Sequence, residues 1–270
     1  MLGRVKLAIR NTIGHYRQAL PLKALHEAAA FIESAYSNEG LSFQHNGEEQ
    51  LIRKLRAADF STAFDVGANF GDWTLCAVAA WPNCHVHAFE VAPVTYKTLE
   101  ERIQLSAWRN RVTLNCFGLS DTNSTMPMYF YPEHPELTCD NPRHGDSAVA
   151  FSASLLAGDG YVSSRGIDSI DFLKIDVEGA EFQVLKGLER TLSSARVHCV
   201  QFEYGAFATQ TRRLLGDFYS LLGSRYWIGK IYPTYVEFKN YDWRMEDFRF
   251  ANYLCVSRSR EDLRRLLASA

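Results

Sequence analysis

The spacing of apolar residues in this chain changes near residue 60. Before it, they recur at three- and four-residue intervals, as on one face of a helix. Leu2, Val5, Ile9 and Ile13 form a first stripe, a second helical stretch covers 22–36, and a third opens at Asn46-Gly47-Glu48 and runs through Leu51, Ile52 and Leu55. From Ser61 onward, short and nearly continuous apolar runs alternate with helical stretches, which predicts βαβ units around a parallel sheet covered on both faces. Strands are expected near 62–66, 84–89, 111–117, 171–175 and 196–202, with helices over 72–80, 93–106 and 179–193. The stretch 121–165 breaks this rhythm with Pro127, Pro132, Pro135 and Pro142. It is expected to be a long surface excursion that shapes an acceptor pocket at the carboxyl edge of the sheet. After residue 223 the chain turns aromatic, with strand-like runs at 225–231 and 250–257 that predict a closing antiparallel pair. The expected architecture is α/β: a Rossmann-like, doubly wound, mostly parallel seven-stranded sheet (59–270) preceded by a helical N-terminal cap (1–58).

Composition narrows the function. A 270-residue chain with 47% hydrophobic residues can bury one substantial core. Its 29 basic and 31 acidic residues give a net charge of −2, without the cationic excess that a nucleic-acid groove requires, so nucleic acid is not expected as a partner. No run approaches the roughly 20 apolar residues of a membrane span, and the start lacks the apolar core of a secretory signal. The six cysteines are scattered without a C-x-x-C pair, which fits a reducing cytoplasm. Arg4, Lys6, Arg10 and Arg17 accompany the first apolar stripe; it suits a docking helix, a helix joining copies of a homo-oligomer, or a peripheral contact with a membrane surface.

The first expected strand ends in Asp65-Val66-Gly67-Ala68-Asn69-Phe70-Gly71-Asp72-Trp73-Thr74, and a helix follows at once. Glycines in such a turn let a ligand approach the backbone, because no Cβ intervenes; the alternative is a plain tight turn. A phosphate loop would need Lys-Ser or Lys-Thr after the last glycine, and a dinucleotide site prefers G-x-G-x-x-G over Gly67-x-x-x-Gly71. Asp65 at the strand tip would repel a pyrophosphate and attract the sulfonium and amino group of S-adenosylmethionine. Glu90, at the end of the second strand, suits two vicinal ribose hydroxyls, a feature shared by adenosylmethionine and NAD sites. Ser120 and Asp121, after the third strand, either meet an adenine edge or cap an ordinary turn.

The segment Ile170–Glu181 places Lys174 inside an apolar strand and then Asp176, Glu178 and Glu181 at a helix start. The helix dipole accounts for Glu178 and Glu181, but Lys174 and Asp176 lie on one face of a central strand and need each other or a ligand. The fifth strand ends in Glu203. Strand-tip carboxylates Asp65, Glu90, Asp176 and Glu203 are therefore expected to converge. Those not holding cofactor would act as base toward an acceptor hydroxyl or bind a cation of the Mg²⁺ type, for which Asp176 and Glu203 are the candidates. His85 and His87 have no third ligand nearby and fit packing better than metal binding.

These segments resemble the FkbM-like methyltransferases, a branch of the class I S-adenosylmethionine-dependent enzymes. The resemblance rests on Asn46-Gly47-Glu48, the run from Asp65 to Thr74, Phe89-Glu90-x-x-Pro93, Leu119-Ser120-Asp121, Phe172-Leu-Lys-Ile-Asp-Val-Glu-Gly-Ala-Glu181 and Glu203, across about residues 46–203. Val91-Ala92 departs from the Pro-Asn or Pro-Asp more often seen there, beside the ribose site. The resemblance implies O-methylation of a hydroxyl on a small-molecule or carbohydrate acceptor: a glycan, polyketide or other secondary metabolite. Asp65, Gly67, Asn69, Gly71, Thr74 and Glu90 would then hold the cofactor, with Ser120 and Asp121 near adenine. Asp176 or Glu203 would take the acceptor proton, and Lys174 would orient Asp176. The competing expectations are an NAD(P)-dependent oxidoreductase and a non-catalytic binding module.

Overall fold

The computed structural model describes residues 2–40, 42–134, 138–139 and 147–269. The chain divides into two compact units, Met1–Gly40 and Leu41–Ala270. The first holds two helices, Leu2–His15 and Leu20–Tyr36, the latter with Pro21 in its first turn, where a missing N–H is tolerated. The boundary falls at Gly40 and not near residue 58, because the helix Glu48–Lys54 belongs to the second unit. Leu51, Ile52 and Leu55 are buried in one cluster with Trp73, Trp81 and Phe172.

Twelve strands are described in the second unit: β1 (Thr62–Val66), β2 (His85–Phe89), β3 (Val112–Asn115), β4 (Gly118–Ser120), β5 (Ser124–Phe130), β6 (Thr138–Cys139), β7 (Val149–Ala157), β8 (Ile170–Ile175), β9 (Val197–Tyr204), β10 (Tyr226–Ile231), β11 (Val236–Phe238) and β12 (Ala251–Ser257). The main sheet runs β11-β10-β12-β9-β8-β1-β2-β3. Pairings from β9 to β3 are parallel, and those from β9 to β11 antiparallel. This is the expected doubly wound α/β fold, with eight strands in place of seven. The additional strand, β11, is a three-residue edge strand completing a hairpin with β10, too short for its alternation to register.

Three features differ from the expected elements. The excursion at 121–165 is partly a second sheet, β4-β7-β5-β6. Pro127 sits in β5 opposite Ser152; a proline removes a ladder donor, so the segment looked irregular until its partner strand was known. The expected helix 179–193 is two pieces, Glu181–Gly187 and Glu189–Ser193, and a Cβ on Gly187 would lie 1.8 Å from the Ser120 carbonyl oxygen. The unexpected C-terminal helix Glu261–Ala268 buries Leu263 and Leu267, four residues apart, against the Trp73 cluster.

Strand β8 is buried along its whole length and carries a charge near each end. Near its start, Asp171 accepts from the Ser61 and Thr62 backbone N–H groups at 2.7 and 3.0 Å and bonds His198 Nδ1 at 2.9 Å. Burial pushes this carboxyl up, but those bonds outweigh it and hold the pKa at about 2. Asp171 thus fastens β1 and β9 to β8 at the edge opposite the cleft. At the other end, the turn after β8 presses on the turn after β1. The Asp176 N–H donates to the Val66 carbonyl at 2.9 Å, and a Cβ on Gly67, whose φ is 81°, would stand 1.8 Å from the Asp176 carbonyl oxygen. At Gly67 the glycine admits the protein's own chain.

Candidate active site

A cleft of about 830 Å³ opens at the carboxyl ends of β1, β2, β8 and β9. That size is ordinary for a small-molecule site, and the place is where open α/β sheets bind ligands. Its rim takes Met126, Met128, Thr138 and Leu155 from the excursion and Phe250 from the aromatic C-terminal part. Among the expected cofactor residues, Gly67, Asn69, Glu90 and Ser120 line the cleft, as do Lys174, Asp176 and Glu203. Asp65, Gly71, Thr74 and Asp121 do not.

On the β2 side, Glu90 is buried, with one carboxylate oxygen accepting from the Ala92 N–H at 2.8 Å and the other from the Asn69 N–H at 2.9 Å. Each oxygen keeps a further lone pair, enough for two hydroxyl donors. Asn69, at φ 47°, presents a buried side-chain oxygen with no hydrogen-bond partner. Such an orphan in a cleft wall suits a ligand donor. Burial raises the Glu90 pKa to about 7 against the two backbone bonds that lower it. A ribose diol needs the ionised form as acceptor, so affinity for an adenosine ligand should climb as pH rises through that value. Calorimetry should find binding weakened roughly tenfold at about pH 6 relative to pH 8, and the dependence should vanish in Glu90→Gln.

Asp65 is fully buried beneath this wall and does not face a ligand. Its two oxygens meet Thr74 Oγ1 at 2.6 Å and Lys174 Nζ at 3.3 Å. The direct sulfonium contact expected of Asp65 is not available, because Thr74 and Lys174 take its two oxygens. Gly71 serves packing, since a Cβ there would lie 2.6 Å from Leu99 Cδ1. Asp121 is exposed and accepts from Ser120 Oγ at 3.3 Å, as a turn cap does.

Lys174 forms the centre of the floor. Nζ lies 3.3 Å from Asp65 Oδ1, from Asp176 Oδ2 and from the Gly67 carbonyl oxygen. Burial alone would depress its pKa, but Asp65, Asp176 and Glu48 together raise it. Glu48 is a residue that sequence reasoning missed as part of the site. It is buried, lines the cleft, and accepts from Asn46 Nδ2 at 2.6 Å, Asn252 Nδ2 at 3.2 Å and Gln201 Nε2. The available signal was Asn46-Gly47-Glu48 itself: Gly47, at φ 104°, packs where a Cβ would meet the Tyr232 carbonyl oxygen at 2.4 Å.

The β8 and β9 tips gather negative charge. One carboxylate oxygen each from Asp176, Glu178 and Glu203 lie within 4.8 Å of one another. Glu178 adopts φ 57°, a strained value for a side-chain-bearing residue, while Glu181 turns back to accept from the Val177 and Gly179 N–H groups at 3.1 Å and pins the turn. Burial and the carboxylates of Asp176, Glu178, Glu181 and Glu48 push the Glu203 pKa well above its ordinary range, and its carboxyl has no hydrogen-bond partner among the described residues. Asp176 has a counter-ion in Lys174, which it shares with Asp65; among the described residues Glu203 has none. The histidines of β2 are packing groups, His85 bonded to Thr113 and His87 to Tyr161, each at 2.8 Å.

A family model described as "Methyltransferase FkbM domain" matches residues 65–230, more than half of the chain. Curated relatives include "Methyltransferase sdnD" of Sordaria araneosa, 30% identical over 154 residues, covering 46% of this chain and 59% of that protein. The "31-O-demethyl-FK506 methyltransferase FkbM" of Streptomyces tacrolimicus is 31% identical over 166 residues, covering 50% and 62%. The "Hexuronic acid methyltransferase AglP" of Haloferax volcanii is 28% identical over 175 residues, covering 63% and 69%. The chain thus matches about three fifths of the length of the first two. A solved structure of methyltransferase FkbM from Methylobacillus flagellatus is similar at a TM-score of 0.49 and 17% identity, over 73% of this chain and 44% of that one.

Proposed function

The chain belongs to the FkbM methyltransferase family, and from that premise we propose that it transfers a methyl group from S-adenosylmethionine to a hydroxyl of a sugar, glycan or secondary metabolite. The observation that carries this reading is the division of one cleft between Glu90 at the β2 tip and the carboxylates at the β8 and β9 tips. Three strand intervals separate β2 from β9, roughly 14 Å, which leaves room for a nucleoside on one side and an acceptor on the other.

When bound, the cofactor supplies a methyl carbon on a positively charged sulfur, which an oxygen nucleophile displaces. Glu90 accepts from the ribose hydroxyls, and the orphaned Asn69 oxygen takes a further donor. Asp176, oriented by Lys174, bounds the reacting region. Glu203 removes the acceptor proton: its raised proton affinity, and the absence of a counter-ion among the described residues, favour it over Asp176 as the base. The surplus of carboxylates also favours a cationic ligand over a pyrophosphate, which with the family match speaks against the nicotinamide reading. The name of the FK506 relative puts its methyl on oxygen, and that of the archaeal relative specifies a sugar acid; both support an oxygen acceptor here.

The three-carboxylate cluster extends the Asp176 and Glu203 pair considered for Mg²⁺ by a third oxygen ligand, so the test includes a chelator. Purified protein would be incubated with methyl-labelled S-adenosylmethionine and fractionated glycans and metabolites. Label entering a methyl ether, insensitive to chelator, supports the Glu203 mechanism. Loss of transfer on chelation would assign the cluster to a cation. Label appearing in no fraction, although S-adenosylhomocysteine binds, would identify a non-catalytic module.

A further inference from the structure

The two helices of Met1–Gly40 display a long run of exposed apolar side chains. Val5, Ile9 and Ile13 of Leu2–His15 are about half exposed, at 54%, 55% and 46%. At 100° per residue these three fall within about 80° of one another. Lys6 and Arg10 flank them on one side and Arg4 on the other. In the second helix Leu20, Leu25, Phe31, Ile32 and Tyr36 are exposed, and none of its residues is buried. Exposed apolar side chains in such number on two neighbouring segments mark a surface that something covers.

The distribution of charge selects what covers it. Five Lys and Arg residues and no Asp or Glu precede Glu27, whereas the remainder of the chain carries 24 basic against 31 acidic side chains, a net charge of −7. Two copies of so basic a segment repel each other, which counts against self-association. Cations flanking an apolar stripe are instead arranged for an interface, where the stripe enters the acyl boundary and the long side chains extend to anionic headgroups. Among the described residues no helix is long and apolar enough to cross a membrane, so the contact would lie in the surface plane. We propose that residues 2–36 dock the protein peripherally on an anionic lipid surface.

The test is flotation of the full-length protein with phosphatidylcholine vesicles and with vesicles containing about 30% phosphatidylserine. The protein is expected to float with the anionic vesicles alone and to be released by high salt. Charge reversal at Arg4, Lys6 and Arg10 is expected to lower partitioning at least about 100-fold, from roughly fivefold per cation. The triple variant Val5→Asp, Ile9→Asp, Ile13→Asp should lose binding as well, while S-adenosylhomocysteine affinity stays unchanged in both, showing that the cleft unit is intact. Absence of wild-type protein from anionic vesicles at low salt would overturn the proposal. So would a wild-type dimer in sedimentation equilibrium that the aspartate variant dissociates, since a second copy would then be the occupant.

Discussion

Replacing Glu203 with Gln is expected to lower kcat by roughly 10²- to 10⁴-fold, the usual worth of a positioned general base, while S-adenosylhomocysteine still binds. The carboxylate gains its basicity from burial and from four like charges, Asp176, Glu178, Glu181 and Glu48. Gln keeps the shape and removes both the proton acceptor and the repulsion, so the variant should melt no lower than the wild type. Asp176→Asn is the matched control, because that carboxylate already contacts Lys174 at 3.3 Å. Its loss should disturb the floor and lower thermal stability along with turnover. Turnover by Glu203→Gln within threefold of wild type would remove Glu203 from the mechanism.

Lys174→Met should destabilise the fold by about 3–5 kcal/mol, the scale for stranding a buried charge by deleting its partner. The buried ammonium is the common counter-ion of Asp65, Asp176 and Glu48. Burial already lifts Glu48 and Asp65 above the ordinary carboxylate range, with Lys174 opposing; without the lysine both rise further. A carboxyl whose folded pKa is raised favours the fold most when protonated, below the unfolded value, and loses that contribution as pH climbs through the folded value. The deficit should therefore be larger at about pH 8 than at about pH 5. Thermal melts at the two pH values check this; an equal loss at both would reduce Lys174 to a packing role.

The parts legible in the sequence were those encoded locally. β1, the helix Asp72–Ala80 and the tip residues Glu90, Asp176 and Glu203 follow from continuous apolar runs ending in a charge. What escaped depends on register. Asp65 lies beside Lys174, and Lys174 beside Gln201, across three neighbouring strands. Strand order decides whether a tip carboxylate faces a ligand or a lysine, and no periodicity reports it. Glu48 escaped for a related reason. An acidic residue at a helix start has a sufficient local explanation in the macrodipole, and its contact with Gln201 spans 153 residues. Gly67 was legible as a glycine that something must approach; that the visitor is the Asp176 carbonyl required the parallel pairing of β1 with β8.

The central claim, that this cleft seats S-adenosylmethionine with its ribose on Glu90, is tested most directly by calorimetric titration of S-adenosylhomocysteine and of NAD into wild type and Glu90→Gln at about pH 8. One-to-one binding of S-adenosylhomocysteine is expected, at least tenfold weaker in Glu90→Gln, with no heat from NAD. Tight binding of NAD, or an affinity for S-adenosylhomocysteine that Glu90→Gln leaves unchanged, would contradict it.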